Sequence, residues 1–118
     1  MNREIKFYKT IDGKNPVKEF IDSQPAKVAK KIAWVLRLVE TQDIVPISYF
    51  KNISGTKVYE CRISLGNNIY RILGQFYQGY FVVLTNGFQK KTQKTPPEEI
   101  ELCNKRMADQ ITRGIKYE

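Results

Sequence analysis

Beyond Pro46 the hydrophobic pattern of this chain shortens its period, and three β-rich runs follow one another with little between them. They are 57–63 (KVYECRI), 69–76 (IYRILGQF) and 80–86 (YFVVLTN), rich in the β-branched and aromatic residues that suit a pleated surface. The breaks fall at Ser54 and Gly55, at Gly66, Asn67 and Asn68, and at Gln78 and Gly79. Such short connections join antiparallel neighbours, because a parallel crossover needs roughly a dozen residues or more. The three runs therefore form a meander. Its alternation is imperfect: Arg62 shares a parity with Val58, and Arg71 shares one with Ile69 and Leu73. An antiparallel sheet with helices on one face can present such charges on the other.

Before Pro46 the period is helical. Val28, Ile32, Val35, Leu36 and Val39 recur along one face of an amphipathic helix from Pro25 to about Thr41, with Lys27, Lys30, Lys31 and Arg37 largely off it. Asn15 followed by Pro16 is an N-cap with proline at the first helical position, opening a short helix through Asp22. Residues 4–9 read as a strand closed by Asp12 and Gly13. Near the end, Thr95, Pro96, Pro97 and Glu98 read as a capping box with Thr95 at N-cap, Pro96 at N1 and Glu98 at N3. Ile100, Cys103, Met107 and Ile111 follow as an apolar stripe, and Gly114 ends the helix. The order β-α-α-β-β-β-α predicts an α+β fold: an antiparallel sheet with two N-terminal helices and one C-terminal helix. Its 118 residues fit a single domain over 1–118.

Twenty Lys and Arg stand against twelve Asp and Glu, a formal charge of +8. Residues 51–94 concentrate it: seven bases (Lys51, Lys57, Arg62, Arg71, Lys90, Lys91, Lys94) meet one acid, Glu60. Clustering of this kind suits a surface facing an anionic polymer, or a solvated face that keeps the protein soluble. Histidine is absent, which removes His-based metal sites, Ser-His-Asp and Cys-His nucleophile pairs, and the usual general base near neutral pH. Cys61 and Cys103 have no paired spacing, as expected in a reducing compartment. The first ten residues carry no apolar h-region and no apolar run approaches the length of a membrane span, so a cytoplasmic protein away from membranes is expected.

Arg62, Arg71, Lys90, Lys91 and Lys94 fall on or just after consecutive strands, so they can converge on one patch. Tyr59, Tyr70, Tyr77, Tyr80, Phe81 and Phe88 are interleaved with them. Cations for phosphates and rings for bases are how single-stranded RNA is held, although strand aromatics more commonly build core. Lys51, Lys57, Tyr59, Phe88 and Lys94 are the candidate RNA-binding residues. Cleavage through the 2′-OH needs charge stabilisation, which the fixed fork of arginine supplies, and proton transfer. Lysine transfers protons only once its pKa of about 10.4 is lowered, as crowding of Lys90 by Lys91 and Arg71 would do. Glu60 is a possible base, with an ion pair to a neighbouring cation its favoured role. Glu98, Glu99 and Glu101 complement a helix dipole without any metal, and no Gly-rich phosphate loop exists. No cofactor, metal or small molecule is implied.

Tyr59-Glu60-Cys61-Arg62-Ile63, then Tyr70-Arg71-Ile72, then the stretch from Asn86 to Pro96 (NGFQKKTQKTP) resemble the RelE/ParE toxin superfamily, and within it the HigB-like branch often labelled phage-derived. That branch reads as an aromatic-E-L-R strand, a Y-R-I strand and a G-F-x-K-K-T-x-K-T-P turn into the last helix. Cys61 stands where it prefers Leu, and Asn86 where a His is often seen. The resemblance implies a toxin paired with a helix-turn-helix antitoxin, cutting mRNA on the ribosome without a metal. By this resemblance Arg71 is the phosphate-binding arginine, Lys90 and Lys91 are the basic positions after the last strand, and Arg62 is the E-x-R position. Fold alone leaves activity open. A ribosome-dependent endoribonuclease is the first expectation; a non-catalytic inhibitor of DNA gyrase and a basic RNA-binding module are the alternatives.

Overall fold

The computed structural model describes residues 3–117. Its elements in chain order are β1 (Glu4–Phe7), α1 (Pro16–Asp22), α2 (Ala26–Thr41), β2 (Phe50–Asn52), β3 (Tyr59–Leu65), β4 (Asn68–Tyr77), β5 (Phe81–Lys90) and α3 (Pro97–Thr112). They form an α+β fold around one five-stranded sheet ordered β1-β5-β4-β3-β2. The meander from β2 to β5 is antiparallel throughout. The sheet as a whole is mixed, however, because β1 runs parallel to β5, with Glu4 opposite Phe81 and Phe7 opposite Leu84. Two helices and three strands separate β1 from β5 in the chain, so no hairpin fixes their direction. Strand β2 was not expected; its three residues are too short to show an alternation.

Both predicted N-terminal helices form where proline and spacing place them. The Asn15 side chain accepts a hydrogen bond from the Lys18 backbone N–H at 3.2 Å, capping α1. Helices α1 and α2 bury Val17, Val28, Ile32, Val35, Leu36 and Val39 against Cys61, Ile63, Tyr70, Ile72, Val82 and Leu84 on one face of the sheet. On the other face, Cys103 and Met107 of α3 pack over Val58, Leu73, Tyr77, Phe81 and Val83. Fully burying one aliphatic side chain such as Ile32 or Ile72 contributes roughly 1.5–3 kcal/mol.

Two expectations for the C-terminal helix fail. Ile111 does not close the apolar stripe: it is 62% exposed, while Gln110 is buried and donates from Nε2 to the Tyr117 hydroxyl at 2.7 Å. The segment after α3 folds back, with the Tyr117 ring packed against Tyr77 and Phe81, and covers the Gln110 side of the helix. Thr95 is not the N-cap either. Pro96 holds that position in an extended conformation (φ −58°, ψ 135°) and the helix begins at Pro97. A residue preceding proline is pushed out of the helical region, so Pro96 cannot be the first helical residue when Pro97 follows it. Among the described residues, no helix is long and apolar enough to cross a membrane.

Candidate nucleic-acid interface

The interface depends on one irregularity in the sheet. Leu73 of β4 faces Asn86, but the next residue, Gly74, faces Leu84, so Thr85 is an extra residue in β5. Without this bulge, Asn86, Phe88 and Lys90 would continue the parity of Val82 and Leu84 and point under α1 and α2. With it, Gly87 takes the helix-covered side, where a Cβ would come within 2.6 Å of the Phe20 ring, and Phe88 packs into the α3 cluster. Lys90 therefore shares a face with Arg71. Gly74 lets the strands approach, because a Cβ there would lie 2.3 Å from the Val83 carbonyl oxygen.

Arg62 and Arg71 are direct cross-strand partners. Two like charges in register repel, so a counter-charge is required. Glu60 supplies it, two residues before Arg62 and diagonal to Arg71. Its Oε1 lies 3.3 Å from Arg62 Nε and 3.7 Å from Arg71 Nε, and its Oε2 accepts a hydrogen bond from the Thr95 hydroxyl at 2.6 Å. Glu60 and Arg71 are each 5% exposed. Arg71 Nη1 donates to the Tyr70 carbonyl at 3.0 Å, and its Nε has no hydrogen-bond partner. Burial lowers the pKa of Arg71, with Glu60 acting in the opposite direction. Lys90 is also held below the ordinary lysine range, first by desolvation and then by the Arg71 and Arg62 charges; Glu60 offsets part of this.

Two grooves meet at this cluster. One, of about 450 Å³, is lined by Arg62, Arg71, Lys90, Lys91, Thr92 and Gln93 among others. The second, of about 350 Å³, shares Arg62, Lys90 and Gln93 and adds Lys51, Lys94, Thr95 and Ile100. Their walls carry five lysines and arginines around a buried carboxylate whose two oxygens are already engaged. Residues 19–108 match the model of a family described as phage derived protein Gp49-like (DUF891). The chain belongs to this family. It is a family of RelE-like toxins of toxin–antitoxin systems. No curated protein matches the chain.

In this Gp49-like protein the fold gathers Arg62, Arg71, Lys90 and Glu60 into contact range, with Lys51, Lys91 and Lys94 around the rim. Lys57 and Tyr59 are placed elsewhere. They line a separate cavity of about 330 Å³ with Asn52, Gln75 and Phe76. Tyr59 has the parity of Cys61 and Ile63, stacks on Phe50 at 5.0 Å and meets Phe76 edge-on at 5.0 Å, so it belongs to the opposite side of β3. Phe88 stands opposite Arg71 but is partly buried against the α3 core. Tyr70, Tyr77 and Phe81 are buried. Asn86 is tied to α3, donating from Nδ2 to the Glu99 carbonyl at 3.1 Å and carboxylate at 2.9 Å. Thr92, Gln93 and Asn67 line the cluster without having been anticipated, and so does Thr95, for which the Pro-Pro pair was the available signal.

Proposed function

We propose that this protein is the HigB-like toxin of a type II toxin–antitoxin pair and that it cleaves mRNA on the ribosome through the 2′-OH, without a metal. The observation that carries this reading is Arg71: a buried guanidinium with an unpartnered Nε, on the wall of a basic groove that it shares with a lysine of lowered pKa. A phosphodiester placed there meets the planar forks of Arg71 and Arg62. The neutral fraction of Lys90 takes the proton of the 2′-OH as the oxygen attacks phosphorus. The bond to the 5′-oxygen breaks, and Lys91 protonates that oxygen, leaving a 2′,3′-cyclic phosphate and a 5′-hydroxyl. Glu60 acts as counter-ion and not as base, since Arg62, Arg71 and Thr95 occupy its oxygens. Orientation of the attacking hydroxyl by the ribosome supplies roughly 7–11 kcal/mol of the barrier in favourable cases. The partner in the cell is an antitoxin encoded with the toxin.

The test is growth and transcript integrity in cells induced for the wild type and for Arg71→Lys, which keeps a cation but loses the fork. Arrest with mRNA cut within translated codons, lost in the variant, supports the reading. Arrest with intact mRNA refutes it, and a supercoiling assay then examines gyrase as the target.

A further inference from the structure

Resting on the cleavage reading but tested independently of it, one contact of the cluster has no role assigned so far: the hydroxyl of Thr95. The segment 91–96 carries Lys91, Gln93 and Lys94 from the end of β5 to the cap of α3, and it belongs to neither element. Its side chains make two hydrogen bonds among the described residues. Thr92 Oγ1 donates to the Lys94 carbonyl at 2.8 Å, within the segment, and Thr95 Oγ1 donates to Glu60 Oε2 at 2.6 Å, across to β3. The second bond is the side-chain tether that ties the segment to the sheet beneath it. It also occupies the glutamate oxygen that the arginines leave free.

We propose that Thr95 is a positioning residue: its hydroxyl pins the Lys91–Lys94 segment over Arg62 and Arg71 and, by satisfying Glu60 with a neutral donor, keeps that carboxylate from pairing with Lys90. A neutral donor satisfies a carboxylate lone pair without adding charge, so Glu60 stays shared between two arginines and the cluster keeps its positive excess. The charged groups around Lys90 are Glu60 and Arg62 from β3, Arg71 from β4, Lys51 from β2, and Lys91 and Lys94 from its own segment; α3 presents the apolar Ile100 there. Glu60 is the one anion among them. When Thr95 releases it, Lys90 is the mobile cation able to take the freed oxygen, whereas both arginines are already engaged.

The experiment compares wild type, Thr95→Ser and the isosteric Thr95→Val. Lysines are reductively methylated with carbon-13 and each resonance is followed through a pH titration, the Lys90 signal being assigned with Lys90→Arg. In the wild type and Thr95→Ser, Lys90 titrates below the other lysines. In Thr95→Val it titrates at higher pH than in the wild type, because it now faces an unshared carboxylate. Cleavage in the induced-cell assay falls about 10–100-fold in Thr95→Val and recovers in Thr95→Ser, the scale expected when reacting groups are displaced by about an ångström. An unchanged Lys90 titration in a folded Thr95→Val protein overturns the proposal. Absence of cleavage by the wild type overturns the ribonuclease reading and leaves the titration result standing.

Discussion

Replacing Glu60 by Gln separates a structural counter-ion from a catalytic base. Gln keeps the volume of the side chain and an acceptor oxygen for Thr95, and removes only the charge. Arg71, 5% exposed, then loses its anion and still faces Arg62 directly across the strands. Removing one partner of a buried pair costs about 3–5 kcal/mol. The Arg62 contact adds little, because that side chain is 27% exposed and solvent screens it. Total stability for a domain is roughly 5–15 kcal/mol, so the loss is large. At about 3–6 °C per kcal/mol for this size, the midpoint of thermal unfolding falls by roughly 10–25 °C. Circular dichroism melts of wild type, Glu60→Gln and the double variant Glu60→Gln/Arg71→Met measure it. The double variant recovers part of the loss, since an apolar side chain of similar reach needs no counter-ion. A Glu60→Gln melt within about 2 °C of wild type, combined with lost cleavage, would refute the counter-ion role and make Glu60 the base.

Three further outcomes follow from the geometry. Because Lys90 is held below the ordinary lysine range, its neutral form appears at lower pH than for a free lysine, so cleavage rises with pH and levels off early; Lys90→Arg abolishes that limb, with a loss of about 10²–10⁴ in rate. Gly74→Ala drives a Cβ to within 2.3 Å of the Val83 carbonyl, and chemical denaturation should show about 1–3 kcal/mol of lost stability; a change near zero would mean that the strands part freely. Burial pushes the Cys61 thiol up to about 12, so stability is complete below the ordinary thiol range of about 8.5 and falls as pH rises from there towards 12. Cys61→Ala flattens that fall in denaturant titrations, and an unaltered slope would assign it to other groups.

Much of the scaffold was legible because its signals are local. Asn15 with Pro16 marks a cap, the Val28 to Val39 spacing marks a helix face, and Gly-bearing breaks mark a meander. The pairing of β1 with β5 is non-local and leaves no trace in either segment. The Pro96-Pro97 pair was legible in principle, and weighing the restriction on a pre-proline residue would have moved the helix start by one and freed Thr95. Tyr59 could likewise have been set apart, since its parity with Cys61 and Ile63 puts it on the covered side of β3. The bulge at Thr85 is different. It contains no glycine of its own, so nothing in the run from Phe81 to Lys90 announces that parity changes midway, and the closeness of Lys90 to Arg71 rests on that change.

The charge inventory of the cluster indicates what it lacks. Arg62, Arg71 and Lys90 share one carboxylate, and that carboxylate is saturated by two guanidinium groups and a hydroxyl. Cations held this close in a partly desolvated groove raise one another's cost of charging, and Lys90, the only one of the three able to shed its proton readily, carries that cost as a lowered pKa. A phosphodiester brings the missing negative charge. Its arrival, and still more the growth of charge on its oxygens during in-line attack, favours the protonated lysine, so the same side chain that is poised to accept a proton in the empty groove holds it firmly as the reaction proceeds. An arginine at position 90 could stabilise the charge but could not take the proton, and a second carboxylate near Glu60 would neutralise the cluster before RNA reached it.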